Sequence, residues 1–415
     1  MRLSRTATFW VVVVAYLALM IAASTPSPLY VVYQAKWHFP TSTLTVIFGV
    51  YAVALLASLL TVGGLSDFVG RRPVLIGALG LLTAAMIVFA AAQGVAWLYV
   101  ARTMQGLAAG AAIGTLSAGI IELAPAGKLR LANLLNALIP SIGLGLGALI
   151  AGAFAEWAPD PTVSVYVVVA AALALLVALI GLAPESEPAR SGALASLVPR
   201  VRIAAPVRGA FLRAAPALFA PWAQMGLTLS LLVSVTTVQF GVTNRFEAGL
   251  IVVAVCLAGT VSGFALRDVA PVRTTNLGAA ALIAGTALTL LGLHANSLTV
   301  FVLGSAIGGL GLGASLSGSI RTLSALPEPD ERGEFFAGVY VVGYLAFSVP
   351  AVIAGFVAVH IGLLHTTYVY GLGVMLLALS VLAQAASMPT LGRRPVPVEI
   401  GCRDRSLPLS ETARR

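Results

Sequence analysis

Apolar residues in this chain come in long unbroken runs, without the 3.6- or 2-residue period of a helix or strand that is half in water. A helix rises ~1.5 Å per residue, so ~20 apolar residues cross a ~30 Å hydrocarbon core. Twelve runs reach that length. In the first part of the chain they are roughly Thr8–Tyr33, Leu44–Ser66, Pro73–Ala92, Trp97–Ile121, Asn133–Phe154 and Thr162–Ala183. In the second they are Pro216–Phe240, Ala248–Leu266, Thr274–Leu293, Ser297–Ile320, Phe335–Val359 and Thr366–Ser387. They predict an all-α membrane protein of twelve transmembrane helices. Barrel strands are excluded, being shorter and alternating in polarity.

The polar gaps between runs organise the chain. The longest, 184–215, carries Pro184, Pro188, Pro199 and Pro206 and reads as a cytoplasmic central linker. It separates an N-terminal six-helix bundle (1–183) from a C-terminal one (216–388), and 389–415 is expected to be a disordered cytoplasmic tail. The halves resemble each other. Gly106-Leu-Ala-Ala-Gly110 in span 4 corresponds to Gly309-Leu-Gly-Leu-Gly313 in span 10, and Ala148-Leu-Ile-Ala-Gly152 in span 5 to Ala351-Val-Ile-Ala-Gly355 in span 11, both at an offset of 203 residues. Small residues recur by chance where helices pack closely. Two matches at one offset favour a duplicated six-helix unit, in two pseudo-symmetric bundles with a site between them.

Charge fixes an expected orientation. With the N-terminus cytoplasmic, only Lys36, Arg102 and Arg245 of the 24 basic residues fall away from the cytoplasmic segments, as the positive-inside rule requires. Both termini are then cytoplasmic. The net charge of +9 is topological, with anionic lipid headgroups of the bilayer as a secondary partner; the arginines are too scattered for a nucleic-acid surface. The preference for arginine over lysine points to a GC-rich bacterial genome and so to a bacterial plasma (inner) membrane. A composition 59% hydrophobic and 9% charged excludes a soluble domain of this length. Arg2, Arg5 and the apolar stretch ending Ala22-Ala23-Ser24 imitate a secretory signal, but a set of twelve needs this span. Cys256 and Cys402, one in a span and one in the tail, do not form a disulfide framework. No metal, cofactor or ATP-binding loop is expected, and no arrangement of His38, His294, His360 and His365 with a nucleophile points to an enzyme.

Between spans 2 and 3 the chain reads Gly63-Gly-Leu-Ser-Asp67-Phe-Val-Gly70-Arg71-Arg72-Pro-Val-Leu75. This resembles the signature cytoplasmic loop of the major facilitator superfamily, with Phe68 standing where that family usually has a basic residue. Arg102-Thr-Met-Gln105-Gly106 resembles the family's arginine-x-x-glutamine-glycine motif on span 4. Gly143-x-Gly145-x-Gly147-Ala-Leu-Ile-Ala-Gly152 is a partial match to the span-5 motif of its antiporters, lacking the proline and one glycine. The resemblance covers the whole chain in span count and symmetry, but its sharp motifs lie in the first half; the corresponding second loop keeps only Arg267-Asp268 and Arg273.

The resemblance implies a gating loop, Gly63, Asp67, Gly70, Arg71 and Arg72, with Asp67 docking on the N-terminus of span 11 and Arg71 pairing with Glu122. It implies a path between the halves lined by spans 1, 4, 7 and 10, with help from 2, 5, 8 and 11. Candidates there are Arg102, Gln105, Tyr16, Tyr30, Tyr51, Trp222, Gln224, Thr228, Tyr340 and Tyr344, together with the break Thr25-Pro-Ser-Pro28, which cannot be a regular helix. Gln224 and Thr228 are spaced i, i+4 and share a face. Gly143, Gly147 and Gly152 are read as helix-packing residues. Arg102 lies about 7–8 Å inside a helix starting near Trp97, so it faces a cavity or snorkels to the outer headgroups.

Every acidic residue lies at a span end, in a loop or in the tail. Asp67 and Glu122 are therefore the only carboxylates left to couple protons, and a strongly cationic substrate is disfavoured. The expected function is a monomeric secondary transporter exporting a small neutral or amphipathic organic solute by alternating access. An uptake carrier for a sugar or organic acid, with Arg102 on a carboxylate, is the alternative, and a transport-inactive receptor or scaffold is a remote one.

Overall fold

The computed structural model describes residues 3–185, 191–199, 201, 203–328 and 332–387. The expected tail with Cys402, Arg2, Glu187, Pro188, Asp330, Glu331 and linker arginines 190, 200 and 202 lie outside these. Among the described residues the structure is all helix and turn. Span 1 is Arg5–Ser24 continued by Pro26–Trp37, followed by Thr41–Val62, Arg71–Ala90, Val95–Glu122, Leu129–Trp157 and Pro161–Gly181 as spans 2 to 6. Span 7 is Ala205–Leu227, the π-helical turn Thr228–Leu232 and Val233–Phe240. Spans 8 to 10 are Arg245–Ala265, Pro271–His294 and Leu298–Leu323.

The last helix, Arg332–Ser387, has 56 residues. Unbroken it would be ~84 Å long, far more than a bilayer core. Gly362, at φ 83° and ψ 157°, reverses the chain in a backbone region that suits glycine. This makes spans 11 and 12 and completes the twelve.

Two expectations about element ends change. Span 7 begins at Ala205 rather than Pro216, because Pro206 occupies its first turn, where a missing N–H costs nothing. The last third of the sequence-defined linker is thus helix. The Thr25–Pro28 break is milder than expected. Thr25 keeps right-handed helical angles, φ −47° and ψ −41°, and its N–H still reaches the Ile21 carbonyl at 3.1 Å. Only the donors at Pro26 and Pro28 are lost.

Small residues set the packing. An added Cβ at Gly106 or Gly110 would run into the Tyr51 and Leu55 carbonyls of span 2, and at Gly309 or Gly313 into those of Val255 and Gly259 in span 8. The duplicated sequence therefore makes duplicated contacts. Gly143 and Gly147 lie against Met20 and Ile21 of span 1, and Gly152 against Phe246 of span 8, so all three pack helices together. Outward-facing positions such as Leu175, Val168, Leu376 and Leu379 remain exposed, as they must where lipid is the solvent.

The halves meet at one end. Gly49 touches Val352, Thr45 touches Gly355, and the Phe48 and Phe347 rings are 4.7 Å apart, all between spans 2 and 11. Between spans 5 and 8, a Cβ added at Gly249 would lie 3.3 Å from the Ala148 carbonyl, Trp157 packs on Phe246, and Glu156 accepts the Arg245 N–H at 2.8 Å. These residues run from mid-span to the end opposite Arg71, Lys128 and Arg321. These contacts between the halves all lie away from the arginine-rich end. The molecule is open there.

Candidate functional site

A cavity of about 260 Å³ lies between the halves at mid-span. On the N-terminal side its wall includes Tyr16, Tyr51, Arg102 and Pro140; on the other side it includes Trp222, Leu312, Tyr340 and Tyr344. The second wall is a run of rings: Trp222 and Tyr344 have centroids 4.9 Å apart, and Phe347 lies edge-on to both. Six of the ten expected path residues therefore reach the cavity.

Among the described residues Arg102 is the only charge on the wall, and it is 1% exposed. With span 4 starting at Val95, it lies ~10 Å along the helix. Its position in a closed polar nest excludes snorkelling. Nε donates to the Tyr30 hydroxyl at 2.6 Å, and Nη1 to the Ala23 carbonyl at 3.2 Å and Gln105 Oε1 at 2.7 Å. The Tyr30 and Tyr51 rings flank the guanidinium, 5.3 and 5.2 Å from its carbon, a cation–π arrangement. Gln105 Nε2 donates to the Ala22 carbonyl at 2.6 Å. Tyr30 and Gln105 thus stand behind Arg102, one layer from the cavity.

The nest follows from the sequence of span 1. In a regular helix the Ala22 carbonyl would accept from residue 26, but Pro26 has no N–H. The orphaned acceptor is taken by Gln105. Sequence reasoning placed the break and the motif side by side in the cavity; it did not anticipate that one builds the acceptor for the other. The missing signal was the i−4 relation between Pro26 and Ala22.

Gln224 and Thr228 are not brought to the cavity. Thr228 donates to the Gln224 carbonyl, and the Gln224 side chain turns into the second half, where Thr286 of span 9 donates to Oε1 at 3.5 Å. They do share a face, but it is the helix-packing face, where Thr228 bonds within its own helix and Gln224 Oε1 meets Thr286.

The signature loop lies at the open end. Gly70 has φ 98°, which excludes most other residues, and lets span 3 start at Arg71. Gly63 ends span 2 against the Leu59 carbonyl. Arg71 meets Asp67 and Glu122, each at 2.8 Å, and donates to Ser66 Oγ at 2.5 Å. Arg72 donates to the Gly181 carbonyl. Asp67 is 59% exposed and makes no hydrogen bond or ion pair with span 11 among the described residues, because the halves are apart at this end. Unanticipated from sequence were Glu185, which accepts the Arg71 N–H at 2.8 Å and so caps span 3, and Arg5, which donates to the Glu122 carbonyl at 2.6 Å. Phe68, the departure from the family pattern, lies against Gly192 of the linker.

The sequence matches the Major Facilitator Superfamily over residues 12–288. The chain belongs to that superfamily. Solved structures of the same architecture include a point mutant of the nucleoside transporter NupG, at TM-score 0.70 and 13% identity over 91% of this chain and 99% of that one. The human organic anion transporter MFSD10 (TETRAN) aligns at TM-score 0.66 and 15% identity, over 92% and 100%. A bacterial homologue of the human lysosomal transporter Spinster, inward-facing and occupied, aligns at 0.70 and 12%, over 92% and 97%. At such identities the likeness is one of fold. Comparison with curated protein sequences finds no match. This superfamily member is a multi-pass membrane transporter.

Proposed function

We propose that the chain is a secondary transporter that exports a small amphipathic organic solute by alternating access, with the Arg102 cavity as its binding site. The observation that carries this reading is the cavity's position: at mid-span, between two bundles whose described contacts lie toward the opposite end from the arginines. Rocking the bundles would close one side and open the other. The positive-inside rule makes the arginine-rich end cytoplasmic, so the state described is inward-open, the state in which an exporter loads. The aromatic wall suits an apolar body and the single guanidinium suits an oxygen acceptor. The signature loop supports a gate in which Asp67 reaches span 11 only after the inner ends close.

Vesicles of known orientation with a panel of neutral, anionic and cationic solutes test this. Movement of a panel solute from the cytoplasmic face outward is the expected result. Accumulation only in the inward direction removes the exporter reading, and movement of nothing in either direction removes transport.

A further inference from the structure

We propose that the solute is an organic monoanion, a carboxylate on a compact apolar body, and that Arg102 is the residue that selects it. This rests on the transport reading above and narrows it.

The site holds an electrostatic imbalance. Arg102 is buried, yet every group it bonds among the described residues is neutral: a phenol, a backbone carbonyl and an amide oxygen. No carboxylate of the described residues lines the cavity, and the nearest acids in sequence terms, Asp67 and Glu122, are engaged with Arg71 at the open end. A buried charge without a counter-charge is expensive and persists where a function needs it. The guanidinium also has spare capacity. Nε and Nη1 are used, whereas Nη2 makes no hydrogen bond to the described residues, although Arg102 is part of the cavity wall. The two unpaired N–H groups of Nη2, on a charged and fixed side chain, are donors for a carboxylate oxygen in a charge-assisted contact.

The fork is held rigidly. Gln105 cannot swing away to compete, because its amide nitrogen is tied to the Ala22 carbonyl, and Tyr30 and Tyr51 flank the plane. Across the cavity, Trp222, Tyr344 and Phe347 carry no charge. The site thus has a cationic pole on one half and an aromatic pole on the other. A volume of about 260 Å³ is just below the ~300–1,000 Å³ usual for ligand pockets, which limits the body to about one ring or a short branched chain. A cation is repelled, and a neutral isostere leaves the arginine uncompensated. A monoanion of this shape would touch Arg102 with its acid group and the second half with its body, so it would draw the halves together.

The test is calorimetric, on the full chain in nanodiscs, with phenylpropionate, its amide and phenylpropylamine as probes. In the wild type the carboxylate should bind at least tenfold tighter than the amide, about 1.4 kcal/mol, and the amine should not bind. Arg102→Gln should level carboxylate and amide, and Trp222→Ala should weaken both in the same proportion. Equal binding of amide or amine in the wild type, a carboxylate preference that survives Arg102→Gln, or binding of none of the three overturns the proposal. If Arg102→Gln does not reach the membrane, the wild-type ratio alone decides. Loss of the anion preference leaves the transport reading standing, since the vesicle panel decides that separately.

Discussion

Thr25 in span 1 and Thr228 in span 7 are related by the same offset of 203 residues that relates the glycine motifs, and the helix is interrupted at both. In span 1 the interruption is made by Pro26 and Pro28; in span 7 it is a π-helical turn without proline. The partners differ too. Arg102 and Gln105 of span 4 correspond to Ser305 and Gly308 of span 10, and Ser305 spends its hydroxyl on the Phe301 carbonyl within its own helix. The polar group of the second half comes from span 7 instead: Gln224, whose amide lies 3.6 Å from the place a Gly308 side chain would occupy.

The inner loops show a similar inversion. In the first half an anion on span 4, Glu122, holds a cation of the loop, Arg71. In the second a cation on span 10, Arg321, donates to loop carbonyls, those of Arg267 at 2.7 Å and of Val269. Duplication kept the backbone contacts that need small residues and let the charges diverge. One half therefore presents a charge to the cavity and the other an apolar wall. That asymmetry, on a symmetric scaffold, gives the site a direction.

The largest test of the asymmetry is Arg102→Ala. Transport should fall about 100-fold or more, on the scale of removing one partner from a buried charged contact, with protein still in the membrane. Arg102→Lys should rescue poorly, since a point charge cannot replace the fork. The decisive number is the lysine variant's rate normalised to membrane abundance; a near-wild-type rate would remove the cavity role.

Pro26→Ala probes how the charged side is built. The new N–H would compete with Gln105 for the Ala22 carbonyl. Span 1 should become more regular and thermal stability should not fall, while transport drops by up to about tenfold as the Arg102–Gln105 pair loosens. Unchanged transport with a regular helix would mean the nest does not depend on the proline.

Asp67→Asn acts at the gate and should be gentler. Its ion pair with Arg71 is half in solvent and worth at most ~1 kcal/mol. The larger consequence is in the state that closes the inner end, where Asp67 would meet span 11; losing it should shift the population a few-fold toward the open state described. Labelling of Ser141→Cys, on the cavity wall, in a background without Cys256 and Cys402 reads this from the arginine-rich side. An unchanged rate counts against a gating role.

Much of this was legible in the sequence, for physical reasons. Span number and the six-plus-six division follow from hydropathy, because lipid demands apolar runs of fixed length. The loop Gly63–Leu75 and Arg102 stood out because charge and glycine are costly in a membrane helix unless placed. What stayed hidden was the direction in which side chains point. Gln224 and Thr228 have the right depth and spacing for a cavity, but which face of span 7 looks inward depends on Pro216, Pro221 and the π turn, whose combined rotation no periodicity reveals. Glu185 looked like one more loop acid because its partner, the start of span 3, is distant in sequence.

The smallest expected effect is also the sharpest check on the comparison. Gln224 is 2% exposed and its contact with Thr286 is long at 3.5 Å, so the bond is weak and the Thr286 hydroxyl can turn back to its own helix, as its neighbours do. Gln224→Leu keeps the volume and removes both polar ends together, a change that is close to neutral when the partner is not left stranded. Stability should change by less than ~1 kcal/mol and transport by less than about twofold. Both are read on one preparation, by thermal unfolding in detergent and by uptake into vesicles. If transport collapses while stability holds, Gln224 faces the solute in some state of the cycle. The second half would then carry a polar anchor of its own, and the one-sided picture would have to be replaced by two anchors, offered from span 4 in one half and span 7 in the other.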